Sequence, residues 1–431
     1  MKKIKFIDLF AGLGGTRIGF EQACEERNLK SECVFTSEIK PYAVKIHDHN
    51  FPGEDIHGDI TNVKESEIPD FDFLLAGFPC QAFSTAGNKG GFSDTRGTLF
   101  FDVARIIKEK KPKGFLLENV EGLVTHDRKD RASKIGNTLE TILDVLNEMG
   151  YKVSWKVLDA KLFGIPQTRK RIYIVGSKKD LVSLNNFPEQ KKLFKDISEK
   201  GLAPLATDFT KRLLHLYSPE ELEGKAIKDK RGGVNNIHSW DLELKGKLGK
   251  QQKDLMSVIL RERRKKKWAE IKGITWMDGM PLTLDEIHSF YCFIPLDKLK
   301  KLLDDLVDKK YLRYEHPKDL VVNENGQQQR EYATNVEKGY NIVTGKLSFE
   351  LNKILGQNCI APTIVATEAD RIAVIDSGKI RRMSERECLR FFGFPEWYKS
   401  NIEHNELYDL IGNTVVVPVI KSVSSRALQS I

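Results

Sequence analysis

Over roughly the first 180 residues, short apolar runs alternate with amphipathic stretches, and few folds accommodate that pattern. Lys5 to Phe10 alternates and runs into Ala11-Gly12-Leu13-Gly14-Gly15, after which Thr16 to Arg27 has helical periodicity. Cys33 to Thr36 reads as a second strand, Pro41 to Asn50 as a helix, and Phe73 to Ala76 as a short buried strand ended by Gly77. Further strands are expected over 114–120, 153–158 and 171–176, with helices over 99–110 and 134–149. Buried apolar strands alternating with helices predict an α/β fold, a mainly parallel sheet with helices on both faces. Strand, glycine turn and helix together form the opening unit of a nucleotide-binding sheet. The turn lacks the G-x-G-x-x-G spacing, so it names no particular cofactor.

The remaining constraints are mostly exclusions. A chain of 431 residues suits two domains. No apolar run approaches the roughly 20 residues of a membrane span. The basic start, Met1 to Lys5, enters a strand pattern and lacks a signal-peptide core, so a cytoplasmic protein is expected. Six dispersed cysteines without a C-x-x-C pair argue against a disulfide framework or a cysteine zinc site. His47-Asp48-His49 falls in a predicted helix, where neighbouring residues face different ways, so no metal is expected. A net charge of +8 hints mildly at a polyanionic partner.

Three places carry chemistry. Glu38 ends the second strand, just over twenty residues past the glycine turn, where an acid can hold two ribose hydroxyls. Cys80 follows the apolar run 73–76 and opens a long polar loop. A thiol there is either a small buried hydrophobe or a nucleophile at the carboxyl end of a strand. Arg169 and Arg171 alternate ahead of a strand, so both are expected on one face, as phosphate or base contacts or as a solvated basic edge.

Several motifs in order resemble those of bacterial DNA cytosine-5 methyltransferases of restriction–modification systems. They are Phe6 to Gly15, Gly77-Phe78-Pro79-Cys80-Gln81-Ala82-Phe83-Ser84, Glu118-Asn119-Val120, Gln167 to Arg171, Arg381 to Cys388 and Gly412-Asn413-Thr414-Val415. The resemblance covers roughly the first 180 and last 60 residues. It implies a Rossmann-like, S-adenosylmethionine-dependent catalytic domain, discontinuous over 1–183 and 405–431. A smaller inserted target-recognition domain and hinge would occupy 184–404.

The resemblance also implies roles. Cys80 would attack carbon 6 of a cytosine flipped out of duplex DNA, making carbon 5 nucleophilic. Glu118, Arg169 and Arg171 would complete the catalytic set, with Glu118 at the ring nitrogen. Phe10, Ala11, Gly12, Leu13, Gly14, Glu38, Ile39, Asp59, Ile60, Pro79, Leu99, Asn413 and Val415 would hold S-adenosylmethionine. Gln81, Ser84 and Arg96 would contact DNA from a loop covering the flipped base. A monomer is expected, with a cognate restriction endonuclease as a functional rather than physical partner. A tRNA-methylating relative and a non-catalytic DNA-binding regulator are alternatives, and the large middle region favours duplex DNA. A dinucleotide oxidoreductase would leave the Pro-Cys-Gln loop unexplained.

In the middle region the regular alternation stops. Arg261 to Trp268 is the densest basic run, a DNA-phosphate contact or a solvated helix face. Thr283 to Ile287 reads as a capped helix start, Leu296 to Val307 as a helix and Tyr311 to Tyr314 as a strand. That order suggests a winged-helix-like insert at 280–322.

Overall fold

The computed structural model describes residues 2–431 except 80–98, 129–132, 230–232, 234, 277–278, 323–327, 345–348 and 367. The chain divides into two compact units, the first comprising Met1–Lys200, Gln357–Asp370 and Met383–Ile431, the second Gly201–Gly356 and Arg371–Arg382.

The first unit opens with β1 (Lys3–Leu9), α1 (Gly15–Glu26), β2 (Lys30–Ser37), α2 (Pro41–Asn50), β3 (Ile56–His57) and β4 (Phe73–Gly77). It continues with α3 (Leu99–Lys110), β5 (Gly114–Val120), α4 (Asn137–Glu148), β6 (Lys152–Asp159) and β7 (Lys170–Ser177). Among the described residues these strands form one sheet in the order β3-β2-β1-β4-β5-β7-β6. Pairings from β3 through β5 are parallel, and β7 runs antiparallel to both β5 and β6. The first four residues of β4, Phe73 to Ala76, are buried, which is why that strand reads as an unbroken apolar run. Pro41, with φ fixed near its helical value and no N–H to satisfy, occupies the first turn of α2.

The order reverses between β1 and β4: β1 leads outward to β2 and β3, β4 to β5. Ligands of open α/β sheets lie at the carboxyl ends of strands flanking such a switch point. The glycine turn follows β1 and the Phe78-Pro79-Cys80 segment follows β4, so both chemistry-bearing stretches leave the sheet there.

The second unit holds α5 (Asp208–Leu216), α6 (Pro219–Leu222), β8 (Ala226–Ile227), β9 (Asn236–Ile237), α7 (Lys250–Glu262), α8 (Lys267–Lys272), α9 (Leu284–His288) and α10 (Leu296–Asp308). After these come β10 (Leu312–Glu315), β11 (Lys318–Val322), β12 (Gln328–Tyr332), β13 (Gly339–Ile342), β14 (Lys353–Leu355), β15 (Ile372–Asp376) and β16 (Lys379–Arg382). A small sheet, β16-β15-β14-β8-β9, packs on Leu213, Leu222, Leu242 and Leu351. A separate core gathers Trp240, the apolar faces of α7 and α10, and Tyr340 and Ile342 of β13. Thr283 caps α9 reciprocally with Glu286, as its sequence suggests.

The chain returns to the first unit through α11 (Glu385–Arg390), α12 (His404–Asn413) and α13 (Val417–Ala427). This unit extends further than the sequence suggests, since 184–200, 357–370 and 383–404 also belong to it. Phe194 stacks on Phe391 with ring centroids 5.6 Å apart and donates its N–H to the Cys359 carbonyl. Those contacts bind the three segments together.

Candidate active site

The glycine turn is held in a conformation that few side chains tolerate. Phe10, Gly12 and Gly14 lie at φ +59°, +54° and +72°. At Gly14 a Cβ would come within 2.8 Å of the Phe51 ring and 3.2 Å of His47. Beneath the turn, His47 Nε2 lies 3.1 Å from the Gly12 carbonyl. Burial pushes the His47 pKa down to about 4, so the neutral ring donates its Nε2–H to that oxygen. Arg17 lies over the Phe51 ring, 3.9 Å from its centroid, and pairs with Glu21 and Glu54. Asp8, fully buried at the end of β1, accepts the Thr16 hydroxyl at 2.7 Å; burial pushes its pKa up to about 7.

Glu38 connects the turn to β2. One carboxylate oxygen accepts the Gly12 N–H at 2.7 Å, and the other accepts the Ile39 and Lys40 N–H groups at 2.9 Å each. The side chain of Ile39 stands 66% exposed beside it. β3 ends at His57, short of Asp59. Asp59 instead caps a short 3₁₀ turn by accepting the Thr61 N–H, with Ile60 buried behind it. Asn413 is exposed at the end of α12, and Leu99 begins α3. Val415 reaches both loops: a Cβ on Gly15 would meet it at 2.9 Å and one on Gly77 at 3.8 Å. The acceptor carboxylate, the exposed apolar Ile39 and the bare turn at Gly12 fit a ligand with a sugar diol, a flat base and no phosphate.

The second cluster lies at the end of β5. Glu118 is buried beside Gly77, where an added Cβ would lie 3.7 Å from Glu118 Oε2. Burial raises its pKa, opposed by the charges of Arg171 and Arg169. Arg171 Nε lies 3.2 Å from Glu118 Oε1. Next to it, Asn119 donates its side-chain amide to the Phe78 carbonyl at 2.9 Å. The chain is thereby pinned two residues before Cys80. A cavity of about 450 Å³ opens here, lined by Val120, Glu121, Gly122, Thr168, Lys170, Arg171 and Thr363.

Two expectations need correction. Arg169 does not share the face of Arg171. It is 2% exposed and donates to the main-chain carbonyls of Ile364 (3.0 Å), Gly412 (3.1 Å) and Thr414 (2.8 Å). The reason is local: β7 begins only at Lys170, while Arg169 N–H caps the Asp159 carboxylate, so period-two geometry does not extend back to it. The basic run Arg261 to Trp268 spans the α7–α8 connection rather than one helix face. Lys265 pairs with Glu262, Lys266 with Glu270, Lys267 covers the Trp268 ring, and buried Arg263 holds Asn341. Cys80, Gln81, Ser84 and Arg96 lie outside the described residues. Pro79, just before them, is exposed.

The sequence reading missed Asn119, Thr168 and Thr363 as site residues. Asn119 and Thr168 lie inside motifs already singled out. Thr363 could have been found from Ala361-Pro362-Thr363, whose chain pairs with Gln167 and Thr168.

The sequence matches the family described as C-5 cytosine-specific DNA methylase over residues 4–429. The chain belongs to that family. It is an enzyme, a DNA cytosine-5 methyltransferase of the Type II, restriction–modification kind. Over 431 residues this methyltransferase is 55% identical to the Type II methyltransferase M.NlaIV of Neisseria lactamica. It is 54% identical to the Type II methyltransferase M.NgoBV of Neisseria gonorrhoeae. Both alignments cover 100% of either chain. The solved structure of the Entamoeba histolytica methyltransferase EhMeth superposes with a TM-score of 0.53 at 12% identity, covering 100% of this chain and 99% of that one. The likeness to EhMeth is one of fold. S-adenosylmethionine is the methyl donor of such methyltransferases. Among the described residues no helix is long and apolar enough to cross a membrane.

Proposed function

We propose that the loops after β1 and β4 and the cluster at the end of β5 form one active site, which methylates carbon 5 of a cytosine swung out of duplex DNA. The observation that carries this reading is the pairing of buried Glu118 with half-buried Arg171 at the strand end next to Gly77, with Asn119 holding the chain at Phe78 ahead of Cys80.

In this reading the Cys80 thiolate adds to carbon 6. The electron pair released toward the ring nitrogen is met by a proton from Glu118, whose burial keeps the carboxyl protonated more readily than usual. Arg171 orients Glu118 and balances charge as it changes. The cofactor supplies a methyl group on a positively charged sulfur, which carbon 5 can attack. Loss of the carbon 5 proton to a base then expels the thiolate and restores the ring. Arg169 acts at one remove, by fixing the segment that carries Asn413 and Val415.

For the cofactor, Glu38 holds the ribose hydroxyls, Ile39, Asp59 and Ile60 meet the adenine, and Phe10 lies against it. The turn Ala11 to Gly14 passes the methionine part, with Pro79, Leu99, Asn413 and Val415 completing the pocket. Gln81, Ser84 and Arg96 contact the DNA around the vacated position. The second unit reads the target sequence. The protein acts in the cytoplasm as a monomer, shielding sites from a cognate endonuclease.

Cys80→Ser is expected to abolish transfer of labelled methyl groups to DNA. Wild-type enzyme is expected to form a covalent adduct with duplexes carrying 5-fluorocytosine, since fluorine blocks the last step. Full activity in Cys80→Ser, or active enzyme without adduct, would sink the covalent route.

A further inference from the structure

Between Lys250 and Ile342 the second unit carries a recognisable sequence of elements: helix α7, the short helix α8, a single paired residue at Leu282, helices α9 and α10, strand β10, the ribbon β11–β12, and strand β13. Leu282 pairs antiparallel with Tyr340, each N–H bonded to the other's carbonyl at 3.1 and 2.7 Å. On its other edge β13 pairs antiparallel with β10. The result is a small sheet with β13 in the middle. The ribbon leaves it between β10 and β13, and among the described residues its two strands pair only with each other. Leu255 and Ile259 of α7, Ile287 of α9, and Leu299, Leu303 and Leu306 of α10 share one core with Leu312, Tyr340 and Ile342. With α8 as a short extra helix after α7, the order is otherwise that of a winged helix: helix, strand, helix, helix, strand, wing, strand, with the last strand central. The span exceeds the 280–322 suggested by sequence because α7 and β13 complete the core.

We propose that residues 250–342 are a winged-helix module that grips duplex DNA, with the outer face of α10 toward the major groove and the ribbon β11–β12 as the wing along the backbone. This rests on the reading of the chain as a DNA methyltransferase. In helix-turn-helix folds the second helix of the pair enters the groove, and its amino-terminal residues meet the bases. Helix α10 turns Leu299, Leu303 and Leu306 inward and leaves Asp297, Lys298 and Lys301 exposed. Two of its three later carboxylates are engaged within the module: Asp304 accepts from Lys300 and the Tyr340 hydroxyl, Asp305 from Gln252 and Lys309, while Asp308 is exposed at the trailing end. Lys298 and Lys301, one turn apart at the leading end, form no ion pair among the described residues. On the ribbon, register puts Lys318, Tyr332 and Arg330 on one face, all exposed. Lys318 stands over the Tyr332 ring at 4.6 Å and Arg330 over the Trp276 ring at 5.0 Å. Cations braced on aromatic rings are ordered for contact with a phosphate backbone. The basic run 261–267, by contrast, is largely paired within the fold.

The test uses the full-length enzyme with two double variants, Lys298→Glu/Lys301→Glu and Lys318→Glu/Arg330→Glu. Affinity is measured over a range of salt for a duplex carrying a site mapped by bisulfite sequencing of DNA methylated by the wild type. Each variant is expected to bind about 10-fold or more weakly, with the slope of log affinity against log salt reduced by about 2. Affinity for S-adenosylmethionine and the melting temperature should not change. Where a charge reversal lowers the melting temperature, the corresponding Lys or Arg→Gln pair is used and the slope alone decides. Unchanged affinity and slope in both pairs overturn the module's role, whatever other partner it serves. Wild-type enzyme that methylates no cytosine overturns the underlying reading instead.

Discussion

Replacing Arg169 by methionine separates a bracing role from a catalytic one. The guanidinium donates to three main-chain carbonyls at 364, 412 and 414, and its carbon lies 5.0 Å from the Phe392 ring centroid. Methionine keeps the apolar contact and removes all three donors. Each buried carbonyl left bare costs about 1–3 kcal/mol. The gross loss over the three is about 3–9 kcal/mol. Burial holds the Arg169 pKa down to about 10, so relief of that desolvation returns roughly 3 kcal/mol. A net destabilisation of about 3 kcal/mol at the middle of that range follows, a sizeable share of ordinary domain stability. It should be seen as a lower urea midpoint at unchanged slope. Because the freed carbonyls flank Asn413, calorimetric affinity for S-adenosylhomocysteine should fall about 10-fold or more. Arg171→Met, whose side chain is the ion-pair partner of Glu118, should instead lower kcat with little change in the midpoint. If Arg169→Met keeps its midpoint and cofactor affinity while losing turnover, the bracing argument is wrong and the residue acts on the base.

Other substitutions test the same geometry. Glu118→Gln, isosteric but unable to deliver its proton, should reduce kcat by about 10²-fold or more while DNA affinity stays within a few-fold in single-turnover assays; a kcat within 10-fold of wild type would remove Glu118 from proton transfer. Asn119→Ala frees the Phe78 carbonyl and should cost about 1–2 kcal/mol, with a larger proportional loss in the rate of 5-fluorocytosine adduct formation; equal adduct rates would show that the pin is not needed. Asp8→Asn addresses pH. The folded-state pKa of Asp8 is raised from 3.8 to about 7, so its stabilising contribution is complete below about 3.8 and is lost as pH rises through 7. The stability of the variant relative to wild type should therefore climb by about 4 kcal/mol between pH 4 and pH 8, and parallel curves across that range would refute it.

The catalytic half was legible because its signals are local. The run 73–76, buried throughout, could only be an inner strand, and the glycine turn declares its own backbone conformation. Arg169 was misjudged because its partners lie some 195 to 245 positions away, and no periodicity reports them. Of the module proposed at 250–342, the cap at Thr283 and the apolar spacing of α10 are visible in sequence. The pairing of Leu282 with Tyr340 is not, because it spans 58 positions and is an isolated bridge. Whether the basic run was a DNA contact or a solvated helix face stayed open in sequence, because charge is visible there while the pairing of Lys265 with Glu262 and Lys266 with Glu270 depends on the turn between two helices.

The first unit is assembled from both ends of the chain, and this bears on how the protein is made. Helix α13 lies against α1 so closely that a Cβ on Gly19 would come within 2.7 Å of Ile420, and Ser177 at the end of β7 donates its hydroxyl to the Ser430 carbonyl. During synthesis, β1 through β7 emerge long before the helix that covers α1. That surface must therefore wait, uncovered, until residues 417–427 have been made. Contacts so distant in sequence also close slowly. Val415 and Asn413, proposed above to complete the cofactor pocket, come just before that helix. A product cut short ahead of residue 413 would have the turn and Glu38 but neither of these residues, and on that proposal it would have no activity.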